Sequence, residues 1–217
     1  MNCAICGVRK PKRYCPGVQG EICTICCGTE REQSIDCTLD CEYRRDAHEH
    51  EIHAELNAES IPNSDIDVSE EFLQQNEWVL LLLSSALAQG AMKNPGVTDY
   101  DIRDALDSLV QTYRTLQSGL YYEARSSNPY AAAIMESVQN RVNDIRKREM
   151  EARGISTSSL RDSTVLGVVA FLQRLERAQN NGRKRSKAFL DFLTRMYGSM
   201  APSEEAAVEP PAPQIIL

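Results

Sequence analysis

The sequence predicts a small metal-stabilised module with short hairpins, followed by an all-α, up-and-down helical bundle. Three observations predict it. All eight cysteines of the 217-residue chain fall between Cys3 and Cys41. From about residue 68 onward, apolar residues recur at helical spacing. Strand signals are nearly absent outside the cysteine-rich segment. The expected divisions are a module over 1–45, a polar linker with helical potential over 46–66, the bundle over 67–199, and a disordered, acidic, Pro-rich tail over 200–217.

The module comes first. Its cysteines follow the pattern C-x2-C-x8-C-x7-C-x2-C-C-x9-C-x3-C. A C-x2-C pair places two thiolates on one tight turn, each about 2.3 Å from a shared ion, and zinc prefers four such ligands in a tetrahedron. The segment also needs a metal. Residues 1–45 hold as sizeable apolar side chains only Ile5, Val8, Tyr14, Val18, Ile22, Ile25, Ile35, Leu39 and Tyr43. So short a piece builds no core of its own. A structural zinc supplies on the order of 10–16 kcal/mol of apparent folding free energy. Disulfides are the competing reading, but the start "MNCAICGVRK" has no apolar stretch of an export signal, and cytosolic thiols stay reduced. The expectation is two structural zinc ions in a soluble, cytoplasmic protein. The longest apolar run, Trp78 to Leu83, is far short of the roughly 20 residues of a membrane span.

Spacing alone leaves two pairings open. One is sequential, with Cys3, Cys6 and Cys15 sharing an ion with one further ligand. The other interleaves the pairs. The succession "CAIC", "RYCP", "ICTIC" and the Cys37/Cys41 pair resembles the B-box and HIT-type zinc fingers, small cross-brace modules that bind two zincs. The resemblance covers about residues 1–50. The "CCG…IDC…DC-x-Y" pattern is also similar to a family of bacterial proteins without an assigned role. The cross-brace resemblance implies Cys3, Cys6, Cys23 and Cys26 on one zinc, and Cys15, Cys37 and Cys41 on the other. There are departures. Val18 stands where B-boxes usually carry Asp or Cys, and the final pair is cysteine rather than histidine. The second site then lacks a ligand. Cys27, whose side chain must diverge from that of Cys26, is assigned to it; His48 is the alternative. Sites filled by four cysteines leave no open position and hold structure rather than activate water.

The segment "DAHEHEIH" carries all three histidines, His48, His50 and His53. It matches neither H-E-x-x-H, because Ile52 and Ala54 stand where the second His belongs, nor the deaminase signature, because no cysteine follows. A polar helix from about Tyr43 to Ala58 with solvent-facing histidines is expected. No P-loop, G-x-G-x-x-G or G-x-S-x-G occurs. The core C-x-H-x2-C of a RING ligase is missing as well. The chain is expected to be a non-enzyme, since no nucleophile–base pair stands out in it.

The body follows. A first helix is expected from an N-cap at Asp67 or Ser69 to the stop "KNPG" at 93–96. A second starts at Thr98, with Ile102, Leu106, Leu109, Tyr113, Leu116 and Leu120 as an a/d seam. The third begins at Pro129, in the position proline favours, and is striped by Ile134 or Met135, Val138, Val142 and Ile145. "RGISTSS" leads to a fourth, striped by Val165, Val168, Val169, Leu172 and Leu175, with Gly182 expected just past its end. A fifth runs from Ser186 to Tyr197.

Net charge is −7, unevenly placed. Residues 1–20 carry four bases and no acid, residues 51–107 carry two bases and twelve acids, and residues 108–200 carry fifteen bases and eight acids. This pattern suggests self-complementarity within or between chains, and with the seam it suggests a homodimer. The segment "NGRKRSK" puts Arg183, Lys184, Arg185 and Lys187 at a helix start, a place that suits an anion. With "RKPKR" at 9–13 it supports a second functional reading, a nucleic-acid-binding regulator, although the pI of about 5.1 is low for one. The first reading is a zinc-stabilised protein–protein interaction scaffold, adaptor or regulator. The apolar Ile215–Leu217 stretch of the tail is a candidate docking peptide.

Overall fold

A computed structural model of the chain describes residues 2–51, 61–119 and 126–197. His53, Leu120 and the expected disordered tail lie outside the described residues. The protein is mostly helical, with a two-stranded hairpin near its start. No helix among the described residues is long and apolar enough to cross a membrane.

The hairpin pairs β1 (Arg13–Cys15) with β2 (Gly20–Ile22), antiparallel, in the register Arg13↔Ile22, Tyr14↔Glu21 and Cys15↔Gly20. Two short helices complete this region, α1 (Thr24–Glu30) and α2 (Glu42–Glu49). Their shared core is cysteine-rich: Cys3, Cys15, Cys23, Cys26, Cys27 and Cys37 are buried around Ile22 and Ile35. Gly17 lets the hairpin turn lie against the next strand of chain, since a Cβ there would run into the Asp36 carbonyl oxygen and come within 2.9 Å of Ile35 Cγ2.

Among the described residues the body holds six helices, α3 (Glu70–Gln75), α4 (Glu77–Met92), α5 (Asp99–Gln117), α6 (Pro129–Arg153), α7 (Asp162–Gln179) and α8 (Ala188–Tyr197). Several expected signals act as read. The Ser69 hydroxyl caps α3 through the Phe72 amide, Thr98 and Asp101 form a capping box, and Pro129 sits in the first turn of α6 behind the Asn128 cap. The stripes become core: Ile102, Leu106, Leu109 and Tyr113, Ile134 through Val142, and Val165 through Leu172 are buried together. The α5 stripe from Ile102 to Tyr113 is therefore buried inside the protomer.

Two expectations change. The single helix expected between residues 69 and 92 is broken at Asn76, which closes α3 and opens α4. The Asn76 side-chain amide donates to the Phe72 carbonyl at 2.8 Å, competing with the helical ladder. The break lays the Phe72 ring over Gly167 of α7, where a side chain would collide with it. The order of the bundle also departs from a simple up-and-down arrangement. α4 packs chiefly on α6 and α8, and α5 on α7 and α6. The cause is α4 itself. Its buried residues run from Val79 through Ala91 with several consecutive positions covered, so it is wrapped on several sides rather than on one stripe. At its far end Gly90 and Ser137 bring α4 and α6 close, and the Ser137 hydroxyl donates to the Ala86 carbonyl at 3.1 Å.

Polar contacts fix the rest. Arg103 grips the buried Glu176 carboxylate with two bonds of 2.8 and 3.0 Å, tying α5 to α7. The second half of the expected linker is pinned to the bundle. Arg174 donates to the carbonyls of Asn63 and Ile66 at 2.6 and 2.9 Å, and Arg114 donates to Asp65 at 2.7 Å.

Candidate metal centre and its joint with the bundle

The first knuckle turns at Gly7, whose φ of +65° suits a residue without a side chain, and its amide donates to the Cys3 carbonyl at 2.8 Å. The hairpin holds this knuckle through Ala4 N to Glu21 O at 2.9 Å. The second knuckle is the start of α1, where Cys23 is the N-cap and its sulfur accepts from the Cys26 amide at 3.4 Å. The Cys23 amide in turn donates to the Cys3 sulfur at 3.2 Å.

These bonds bring the sulfurs of Cys3, Cys6, Cys23 and Cys26 within 4.8 Å of one another. Four ligands about 2.3 Å from one zinc stand about 3.8 Å apart, so a small inward movement closes the tetrahedron. The set matches the first expected site. All eight cysteines are free thiols.

The protonation chemistry of the set also fits a cation. Backbone amides, that of Cys6 foremost, lower the Cys3 thiol to about 6. Burial, followed by the sulfurs of Cys23, Cys6 and Cys3, pushes Cys26 up to about 12. Four crowded thiols resist joint ionisation, and a divalent ion at their centre would remove that resistance while releasing protons. The Arg9 guanidinium, hydrogen-bonded to the Cys23 sulfur, is held above the ordinary arginine value by it.

Cys15, Cys27, Cys37 and Cys41 are not drawn together to the same degree. Among the described residues the close group is the first one. Cys15, Cys27 and Cys37 nonetheless share the buried cluster, and Cys41 caps α2 at its edge. Burial pushes the Cys37 thiol up to about 11, opposed by the Glu32 backbone amide and aided by the charges of Glu32, Cys41 and Cys15. Arg13 lies over the Tyr43 ring at 3.8 Å and points a donor at the Cys27 sulfur, 3.7 Å away.

His48 is elsewhere, which corrects both readings that involved it. Instead of facing solvent or a metal it is buried, with Nε2 2.7 Å from Glu32 Oε2. Burial alone would disfavour its charged form, but Asp191 and Glu32 on either side raise it to about 9. Arg44, also of α2 and fully buried, donates to Asp191 of α8 at 2.7 Å and to the Leu39 carbonyl at 2.8 Å. Two cations thus meet two carboxylates in a sealed joint between the cysteine module and the bundle.

Glu32 is the hub of that joint. It is a non-glycine residue at φ +52°, strain that persists only where surroundings over-determine it. Its carboxylate accepts from Asn181 Nδ2 at 2.9 Å and from the Lys187 amide at 3.0 Å, and its carbonyl accepts from the Arg185 amide at 2.7 Å. Arg183 and Lys187 of the basic turn are therefore engaged with the module, while Lys184 and Arg185 are exposed. Arg183 donates to the Arg31 carbonyl at 2.7 Å, and Lys187 Nζ to Asp36 at 2.7 Å. The start of α8 already holds an anion of its own. Asp99 accepts there from the Phe189 and Leu190 amides at 3.0 and 3.1 Å. Part of the charge along the chain is met here, where the turn 181–187 meets Glu32, Asp36 and Glu51. Glu32, Arg44, Asp99 and Asp191 carry no local motif that would have singled them out. Neither a family model, nor a curated protein, nor a solved structure matches this chain, so the site is read from its own geometry.

Proposed function

We propose that the chain is a zinc-stabilised protein–protein interaction scaffold or adaptor, non-catalytic, working in a reducing compartment. The observation that carries this reading is the group of four cysteine sulfurs within 4.8 Å of one another. A set of four thiolates fills a tetrahedral ion and leaves no position for a water nucleophile. We include a second structural zinc on Cys15, Cys27, Cys37 and Cys41, supported by the shared burial of the first three, with half-buried Cys41 at the start of α2. The ions take the place of the core the module lacks, and the joint at Glu32 fixes the module on the bundle as one presenting surface. The nucleic-acid reading has less support, because Arg9, Arg13, Arg183 and Lys187 are each engaged within the chain.

Metal analysis of protein purified under reducing conditions tests the first half of the reading, and two zinc ions per chain are expected. Affinity capture with the intact protein and with a Cys3→Ser/Cys6→Ser variant tests the second. Loss of a defined set of partners in the variant is expected. Identical sets would remove the module from recognition, and a metal-free but folded module would remove the zinc.

A further inference from the structure

The metal module carries an apolar face with nothing laid on it. Among the described residues, Val8 is 80% exposed, Tyr14 60%, Ile25 53% and Ile5 38%. They cluster for a reason. Ile5 lies between the ligands Cys3 and Cys6, and Ile25 between Cys23 and Cys26, so convergence of the four sulfurs puts both knuckle tips side by side. Val8 follows Gly7 on the first knuckle, and Tyr14 stands on β1 opposite Glu21, whose carbonyl accepts from the Ala4 amide of that knuckle at 2.9 Å. A small module that keeps four large apolar side chains in water presents a binding surface.

Of the four bases at 9–13, two are engaged within the module and two are not. Arg9 and Arg13 are directed to the sulfurs of Cys23 and Cys27. Lys10 and Lys12 are exposed, and among the described residues neither pairs with a carboxylate. The first acid in the chain is Glu21. The matching chemistry lies in the same chain. Residues 201–217, "APSEEAAVEPPAPQIIL", carry three acids, no base, and the apolar run Ile215–Leu217. The reach is sufficient. α8 starts against Glu32 and ends ten residues later at Tyr197, about 15 Å further on. The twenty residues beyond Tyr197 span up to about 66 Å when extended.

We propose that residues 201–217 dock on the Ile5/Val8/Tyr14/Ile25 face of their own metal module, the Glu204, Glu205 and Glu209 carboxylates meeting Lys10 and Lys12 and the Ile215–Leu217 run covering the knuckle tips. The inference rests on the scaffold reading and deepens it. The recognition face is the metal-built one, and its ligand class is an acidic peptide with a branched apolar end.

The test is amide NMR on the full chain, compared with a full-length Ile215→Ser/Ile216→Ser/Leu217→Ser variant. The amides of Ile5, Val8, Lys10, Tyr14 and Ile25 are expected to shift, while that of Ile155, on the far loop between α6 and α7, stays in place. The difference is expected to be independent of protein concentration. A difference that vanishes on dilution overturns the proposal in favour of a second copy. A synthetic 201–217 peptide added to the variant is expected to restore the shifts saturably, at least tenfold more weakly when Lys10→Glu/Lys12→Glu is added. Unmoved amides, or a peptide indifferent to the two lysines, overturn the docking. Metal content and partner capture, measured on the same samples, report separately on the scaffold reading.

Discussion

Arg44 of α2 and Asp191 of α8 meet at 2.7 Å, buried, across 147 positions of sequence. Their contact joins the cysteine module to the end of the bundle. Arg44 also approaches Glu32 at 3.8 Å, so one guanidinium serves acids from both regions.

Breaking this pair from one side leaves a charge buried without its counterpart. Arg44→Met is expected to lower the stability of the metal-loaded protein by about 3–5 kcal/mol. Adding Asp191→Leu is expected to recover part of that loss, because it removes the stranded carboxylate. Urea denaturation of the two single variants and the double variant measures the coupling.

His48 makes the joint sensitive to alkaline pH. Its folded value of about 9 lies above its unfolded value of 6.5. A raised value means that the folded state holds the proton more tightly. The His48 contribution is therefore complete below about pH 6.5 and is lost as pH rises through about 9. Urea midpoints of metal-loaded protein are expected to fall across that interval, and those of His48→Gln to fall less. Equal slopes would remove the imidazolium from the joint.

Metal withdrawal is expected to separate the two cores. A chelator under reducing conditions should abolish amide protection from Cys3 to Cys26, where the proposed ion would replace an apolar interior. The helices α5, α6 and α7 should keep theirs, because their buried side chains form a separate cluster. Hydrogen exchange read by mass spectrometry distinguishes this from global unfolding.

Gly17→Ala is expected to cost about 1–3 kcal/mol by overpacking. The added methyl group meets the Asp36 backbone, which cannot rotate away as a side chain would. Thermal unfolding of the metal-loaded variant checks it, and an unchanged midpoint would show that the hairpin turn is free to move.

What could be read from sequence was local. The C-x2-C pairs announced the first ligand set because two ligands on one turn need only four consecutive residues. Ser69, Thr98 and Pro129 announced helix starts because capping acts within one turn. The stripes of α5, α6 and α7 announced a core. What was hidden depended on distant partners. Asn76 breaks a helix through a side-chain bond that an equally polar exposed residue would not make. The order of helices around α4 follows from its burial on several sides, which a periodicity does not report. His48 looked like its neighbours in a histidine-rich run, and only Glu32 and Asp191, far away in sequence, make it different. The basic turn 183–187 looked like a surface for an outside anion because its partners, Glu32 and Asp36, lie about 150 positions earlier.

The strained carboxylate at position 32 sets an order on biosynthesis. A ribosome releases the knuckles well before residues 181 to 191, which seat them. The cysteines emerge while most of the bundle is still untranslated, but Glu32 has no amides to receive until residues 181–187 emerge. The joint therefore closes only when a segment made about 150 residues later folds back onto the cysteine module.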